Sequence, residues 1–121
     1  VVAPAGVLSP ASVSIPLADA AALPIVGLTA WQALFDHAEL TAGQRVLING
    51  AGGAVGGYAV QLAKNAHAHV IAAGPVRGAD ETIDHTATEV PSAVREPVDV
   101  VLNLAPVDPA RLAGLLTVMR D

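Results

Sequence analysis

Five glycines crowd the stretch "GAGGAVGG", at Gly50, Gly52, Gly53, Gly56 and Gly57. Glycine belongs where backbone must turn through positive φ or let another group come close. The spacing is G-x-x-G-x-x-G, formed by Gly50, Gly53 and Gly56, rather than the strict G-x-G-x-x-G of dinucleotide loops. An apolar run, Val46-Leu47-Ile48, precedes it and a helix-like stretch follows. A pyrophosphate suits such a place, because a helix start offers unpaired N–H groups and partial positive charge and the glycines hold nothing off. A tight strand–helix connection with no ligand explains the same glycines, so the loop by itself leaves both readings open.

Other chemistry is sparse. His67 and His69 could face one way on a strand, but no third ligand is near in sequence. His37 and His85 fall in polar surface or turn positions. There is no G-x-S-x-G elbow for serine hydrolysis. Tyr58 is followed four positions later by Leu62, which fails the Tyr-x-x-x-Lys pattern of short-chain dehydrogenases. With no cysteine there is neither a disulfide framework nor a thiolate metal site.

The elements that must position the glycines alternate. Residues 1–16 hold three prolines and no helical period, and read as extended chain. "LADAAAL" suggests a short helix stopped before Pro24. From Ile25 to Leu40, Leu28, Trp31, Leu34, Phe35 and Ala38 recur at helical spacing, with Trp31 read as core. Arg45–Asn49 is a buried-strand signal, and Val55, Ala59, Leu62, Ala63 and Ala66 mark one helix face. Residues 69–73, 82–84 and 98–104 are further strand candidates. Asp108 caps a last helix with Pro109 at its first position and an apolar side of Leu112, Leu115, Leu116 and Met119. Strand, glycine turn, helix and strand make the βαβ pattern of a parallel sheet covered on both faces.

Composition bounds the function. The 121 residues are 53% hydrophobic and 14% charged, which fits one folded domain. Six basic against eleven acidic residues give −5 and no basic run, which argues against nucleic acid. No apolar stretch of about 18 residues is seen for a membrane span, and no Lys/Arg-led signal peptide. A soluble, cytoplasmic protein is the default expectation.

The stretch "GLTAWQALFDHAELTAGQRVLINGAGGAVGGYAVQLAKNAHAHVIA" resembles the medium-chain dehydrogenase/reductase family, in its zinc-independent quinone oxidoreductase-like branch. "GADETIDH" and "VDVVLNLA" are similar to later landmarks of that family. The resemblance implies a Rossmann-like α/β domain, a doubly wound parallel sheet, beside a GroES-like substrate domain. Residues 17–121 would be part of the NAD(P)-binding domain and 1–16 an extended remnant of the substrate domain. The implied activity is hydride transfer from NADPH to a quinone, enone or similar activated carbonyl or alkene. An enoyl reductase unit of a larger synthase and a non-catalytic NADPH-binding module are the alternatives. The expected partners are a small-molecule acceptor and a further copy of the chain.

The resemblance also implies site residues. Gly50, Ala51, Gly52, Gly53, Ala54 and Val55 would wrap the pyrophosphate, and Thr29 would lie near the nicotinamide. Asn103, Leu104 and Ala105 would border its ribose. Zinc-dependent members carry a cysteine six residues before the aromatic of their "TAW"-like motif. Ile25 stands there, and an aliphatic side chain cannot bind zinc, so a zinc-free enzyme is expected. No acid follows the second strand until Asp80, which permits NADPH, and Arg77 is placed to meet its 2′-phosphate.

Three departures stand out. Only "AGPVR" or so separates the second strand from "GAD", where a crossover helix of around ten residues is expected, so residues would be missing near 74–78. Two more strands would follow Asp121. His67 occupies a helix-ending position where glycine is usual.

Overall fold

The computed structural model describes residues 2–121. Four parallel strands form one sheet in the order β3-β2-β1-β4. They are β1 (Arg45–Asn49), β2 (His69–Ala73), β3 (Glu81–Ile83) and β4 (Val100–Asn103). Val46 stands opposite Val70 on one side and Val100 on the other. The apolar runs are continuous because each face of the sheet is covered. Val46 and Ile48 face a core shared with Ala59, Val60 and Ala63 of α3 (Ala54–Asn65). Leu47 and Ile71 point the other way, into a second core with Val90 of α4 (Val90–Ala93) and Leu115 of α5 (Pro109–Leu116).

Local signals set the helix ends. Asp108 Oδ1 accepts the Arg111 N–H at 2.9 Å, and Pro109 opens α5 as expected. The apolar side of α5 is narrower than its sequence suggests, since only Leu115 is buried and Leu112 and Leu116 are exposed. At the far end of α3, the Ala68 N–H donates to Ala63 and the His67 N–H to Lys64. That is a Schellman turn, with His67 at φ 60° in the place glycine usually takes.

The N-terminal region departs from expectation. Residues 2–16 are exposed, form a single 3₁₀ turn at Ala5–Val7 and join no strand, so the reading of a substrate-domain remnant finds no support. Helix α1 (Leu17–Ala20) is brief, and Pro24 lies in the first turn of α2 (Leu23–Trp31) instead of ending a helix. The helix continues as a wider π-type turn over Gln32–His37. Trp31, expected in the core, is 50% exposed and stacks obliquely on Phe35 with ring centroids 4.6 Å apart. Ala30 and Leu34 are the fully buried residues of this run. Small side chains let α2 lie close against α3, and that contact selects the Ala30–Leu34 side. By length and composition Leu17–His37 does meet the requirement for a membrane span, contrary to the sequence reading.

The connection from β2 to β3 is residues 74–80, without a helix. Parallel strands usually need a dozen residues or more. Here Gly74 (φ 123°) and Gly78 (φ 92°) turn the chain, and Val76 and Ala79 pack on the α3-side core in place of a helix. Beyond β4, residues 118–120 run beside Val98, with the Val98 N–H donating to Val118 and the Arg120 N–H to Val98.

Candidate functional site

Site geometry begins where β1 ends. Gly50, at φ 86°, donates its N–H to Ala73 at 3.1 Å, and the Ala51 N–H shares that acceptor at 3.0 Å. The Gly53 N–H donates back to Gly50, and the Gly57 N–H to Gly53. This leaves Gly52 and the first helical residues, Ala54 and Val55, with N–H groups that no protein acceptor meets. Gly53 is the N-cap residue and offers no capping side chain. Gly52, Gly53 and Ala54 are exposed.

The glycines differ in what they are for. A Cβ on Gly56 would lie 2.5 Å from the Gly50 carbonyl oxygen, and one on Gly50 2.9 Å from the Ala105 nitrogen. A Cβ on Gly52 would meet Pro75 at 2.9 Å. Those three are required by the chain's own packing. A Cβ on Gly53 would touch only the Gly50 oxygen, at an ordinary 3.5 Å. With negative φ and room for a methyl, Gly53 is not held to glycine by the fold, and the open helix start has space for a phosphate. The loop therefore fits a dinucleotide.

Two clefts flank it at the carboxyl ends of the strands. One, of about 520 Å³, lies between Gly74–Val76 and Thr82–Thr86. The other, of about 590 Å³, is lined by Asn49, Val90, Ala105, Pro106 and Leu115 among others. Pro75 in the first abuts Gly52, Ala105 in the second abuts Gly50, and His85 lines both. This is the point where the sheet order reverses, with β2 and β3 to one side of β1 and β4 to the other.

The sequence-predicted residues separate into two groups. Gly50 to Val55 and Ala105 are brought together, while Leu104 packs on the α3-side core and donates its N–H to Asn49. Asn103 Oδ1 accepts from Asn49 Nδ2 at 2.8 Å. Thr29 lines neither cleft, and its hydroxyl donates to Ile25 of its own helix at 2.7 Å. Arg77 is exposed on the 74–80 connection, lines neither cleft and makes no ion pair among the described residues. Sequence reasoning missed Asn49, His85 and Asp84. Asp84 is a carboxylate in the first cleft, held below its ordinary pKa first by the Thr86 hydroxyl, at 2.6 Å, and then by the Thr86 N–H. The "IDH" that follows the third strand was the available signal for both Asp84 and His85.

A network of ion pairs gathers at the opposite, amino ends of the strands. Lys64 Nζ meets Asp80 at 2.7 Å, His69 Nε2 meets Glu81 at 2.7 Å, and Arg45 bridges Glu81 and Glu96. No cluster of three His, Cys, Asp or Glu that could hold a metal ion occurs among the described residues, His67 and His69 included.

Known proteins share this arrangement. No family model matches the chain. The chloroplast envelope quinone oxidoreductase homolog of Arabidopsis thaliana is 47% identical over 85 residues, 60% of this chain and 26% of that protein. The quinone oxidoreductase of Thermus thermophilus, whose structure is known also with NADPH, superposes with a TM-score of 0.76 and 29% identity, covering 96% of this chain and 41% of that one. The JamJ enoyl reductase superposes with a TM-score of 0.78 and 29% identity, over 87% of this chain and 35% of its own. The chain thus spans about a quarter of the length of that curated relative.

Proposed function

This chain is part of a medium-chain dehydrogenase/reductase homologue of the quinone oxidoreductase and enoyl reductase type, and we propose that it holds the cofactor for a zinc-free, NADPH-dependent reduction of a quinone, enone or similar activated carbonyl or alkene. The observation that carries this reading is the glycine loop, with the free N–H groups of Gly52, Ala54 and Val55 beside a Gly53 that the fold itself does not require. These groups would hold the pyrophosphate, aided by roughly half a positive charge at the start of α3. The nicotinamide would supply the hydride. The chain's task is orientation, keeping the cofactor fixed across the two clefts so that an acceptor meets it in near-attack geometry. Ile25, in the place of a metal-binding cysteine, supports a zinc-free reaction. The absence of a carboxylate in Gly74–Gly78 and the unpaired Arg77 support NADPH.

The likeness to the JamJ enoyl reductase favours a second reading that differs in the acceptor, an enoyl thioester carried by a larger synthase. Cofactor oxidation by the full-length protein, with quinones, enones and enoyl thioesters compared, separates the two. Turnover with none of them would favour a non-catalytic module. The binding reading itself is tested by Gly53→Asp in the full-length protein. A carboxylate beside the phosphates is expected to weaken NADPH by about tenfold or more in a fluorescence titration. Unchanged affinity in a folded variant would overturn it.

A further inference from the structure

Asn49-Gly50 joins β1 to the glycine loop. An asparagine followed by glycine is the dipeptide whose side-chain amide is most open to attack by the next backbone nitrogen, because glycine has no Cβ to shield that nitrogen. The other two asparagines, Asn65 and Asn103, precede Ala66 and Leu104 and are shielded. The fold keeps the reacting atoms of Asn49 apart. The side chain is buried, 6% exposed. Its Nδ2, the leaving group, donates to Asn103 Oδ1 at 2.8 Å across the β1–β4 ladder. The Gly50 nitrogen, the nucleophile, is tied by its N–H to Ala73 at 3.1 Å. Strand side chains stand out of the sheet whereas ladder N–H groups lie in it, so the Gly50 nitrogen and Asn49 Cγ do not meet while β1 is paired.

We propose that Asn49-Gly50 is a self-modification site, closed while β1 is paired with β2 and β4 and open whenever the chain unfolds there. Once open, the Gly50 nitrogen gives up its proton and bonds to Asn49 Cγ. The Cγ–Nδ2 bond breaks, and Nδ2 leaves as ammonia, taking up that proton. Water then opens the cyclic imide at either carbonyl, leaving aspartate or the chain-lengthened isoaspartate. Neither product fits the folded site. Aspartate loses the donor to Asn103 and puts a charge where the side chain is buried. Isoaspartate adds a main-chain carbon just ahead of Gly50, where a Cβ alone would come 2.9 Å from the Ala105 nitrogen. Each opening therefore exposes the glycine loop to a one-way loss, whatever ligand the loop holds.

The test ages the full-length protein in mildly alkaline buffer with and without urea. Peptide mass mapping follows the exchange of amide for acid at Asn49, Asn65 and Asn103, and chromatography separates isoaspartate from aspartate. In urea, Asn49 is expected to convert about tenfold faster than the other two, whose following residues carry a Cβ. In the folded protein Asn49 is expected to convert about a hundredfold more slowly than in urea, because the reaction waits on opening. Asn103→Ala frees Asn49 Nδ2 and is expected to raise the folded rate several-fold. Material aged in urea and returned to buffer is expected to regain the wild-type Tm only in its unconverted fraction. Equal rates for the three asparagines in urea would overturn the site, and equal rates for Asn49 folded and unfolded would overturn its closure by the fold. An unmoved rate in folded Asn103→Ala would remove Asn103 from that closure. Full recovery of Tm by converted protein would overturn the one-way loss. Should Asn103→Ala fail to fold, the comparison with urea decides by itself.

Discussion

Under the proposed function, two single residues would pull the choice of cofactor in opposite directions. Arg77 brings a cation near the end of β2, while Asp84 places a carboxylate in the cleft next to it. Asp84 stays charged at neutral pH, since the Thr86 hydroxyl and N–H favour its ionised form. A 2′-phosphate placed between them would be attracted by the first and repelled by the second, and a free 2′-hydroxyl would be welcomed by the carboxylate. Arg77→Ala is therefore expected to weaken NADPH selectively, by about 1.5–3 kcal/mol if the guanidinium meets the phosphate. Asp84→Asn is expected to raise the preference for NADPH over NADH. Dissociation constants for both cofactors in the full-length protein check both outcomes, and an unmoved ratio in either variant would refute its residue's part. The sequence made Arg77 visible because it lies four residues beyond the end of the second strand. Asp84 escaped notice because only the short connection folds "IDH" back beside Gly74.

At the scale of elements, β3 is the one most dependent on charge. It pairs with β2 over three residues, and both Glu81 at its start and Asp80 just before it are ion-paired. Burial raises the Asp80 pKa, but Lys64 and the Val70 N–H outweigh it, so the carboxyl lies below its usual 3.8. Glu81 lies below its usual 4.5, first through His69 and then through Arg45. A carboxylate with a depressed folded pKa stabilises the fold above its unfolded pKa and loses that contribution as pH falls through the folded value. The β3 edge is thus expected to loosen below about pH 4.5, before the β1–β2 pair. Amide hydrogen exchange at Gly74, whose N–H donates to Ile83, as a function of pH measures this, and Glu81→Gln is expected to flatten the dependence. The core elements were legible: Arg45–Asn49 and His69–Ala73 match their sequence signals residue for residue, because apolar runs bounded by turn residues leave little choice. His67 was legible as an oddity, and its positive φ explains why glycine is usual there. The helix-free crossover was not legible, since a rule about typical lengths cannot foresee Val76 and Ala79 filling a helix's place.

For the whole molecule, the sheet and the glycine site followed from pattern and resemblance, but which helix face points inward did not. Periodicity groups Leu28, Trp31 and Leu34 together, whereas the fold buries Leu34 and leaves Leu28 57% exposed. Close approach of α2 to α3, which depends on small residues, made that choice. The result is an apolar surface of Leu17, Ile25, Leu28 and Trp31. Produced as these 121 residues, the chain is expected to self-associate through that surface and to show no saturable NADPH oxidation with quinones or enones. Sedimentation together with the NADPH absorbance assay would check this, and robust turnover by monomeric material would count against it.

The short β2–β3 connection also bears on the order in which the sheet assembles. Val70 and Asp80 are ten residues apart in sequence, whereas Asn49 and Asn103 are separated by 54. Closing a longer loop costs more entropy, by about 0.6 kcal/mol for each doubling of its length. Docking of β3 on β2 is then a local, early event, and the arrival of β4 on β1 is the slow, long-range one. That last step brings Asn103 to Asn49 and closes the second cleft, so the site comes into being only as folding finishes. A dinucleotide that binds there would act on the final step of assembly, holding β4 in place and slowing its release.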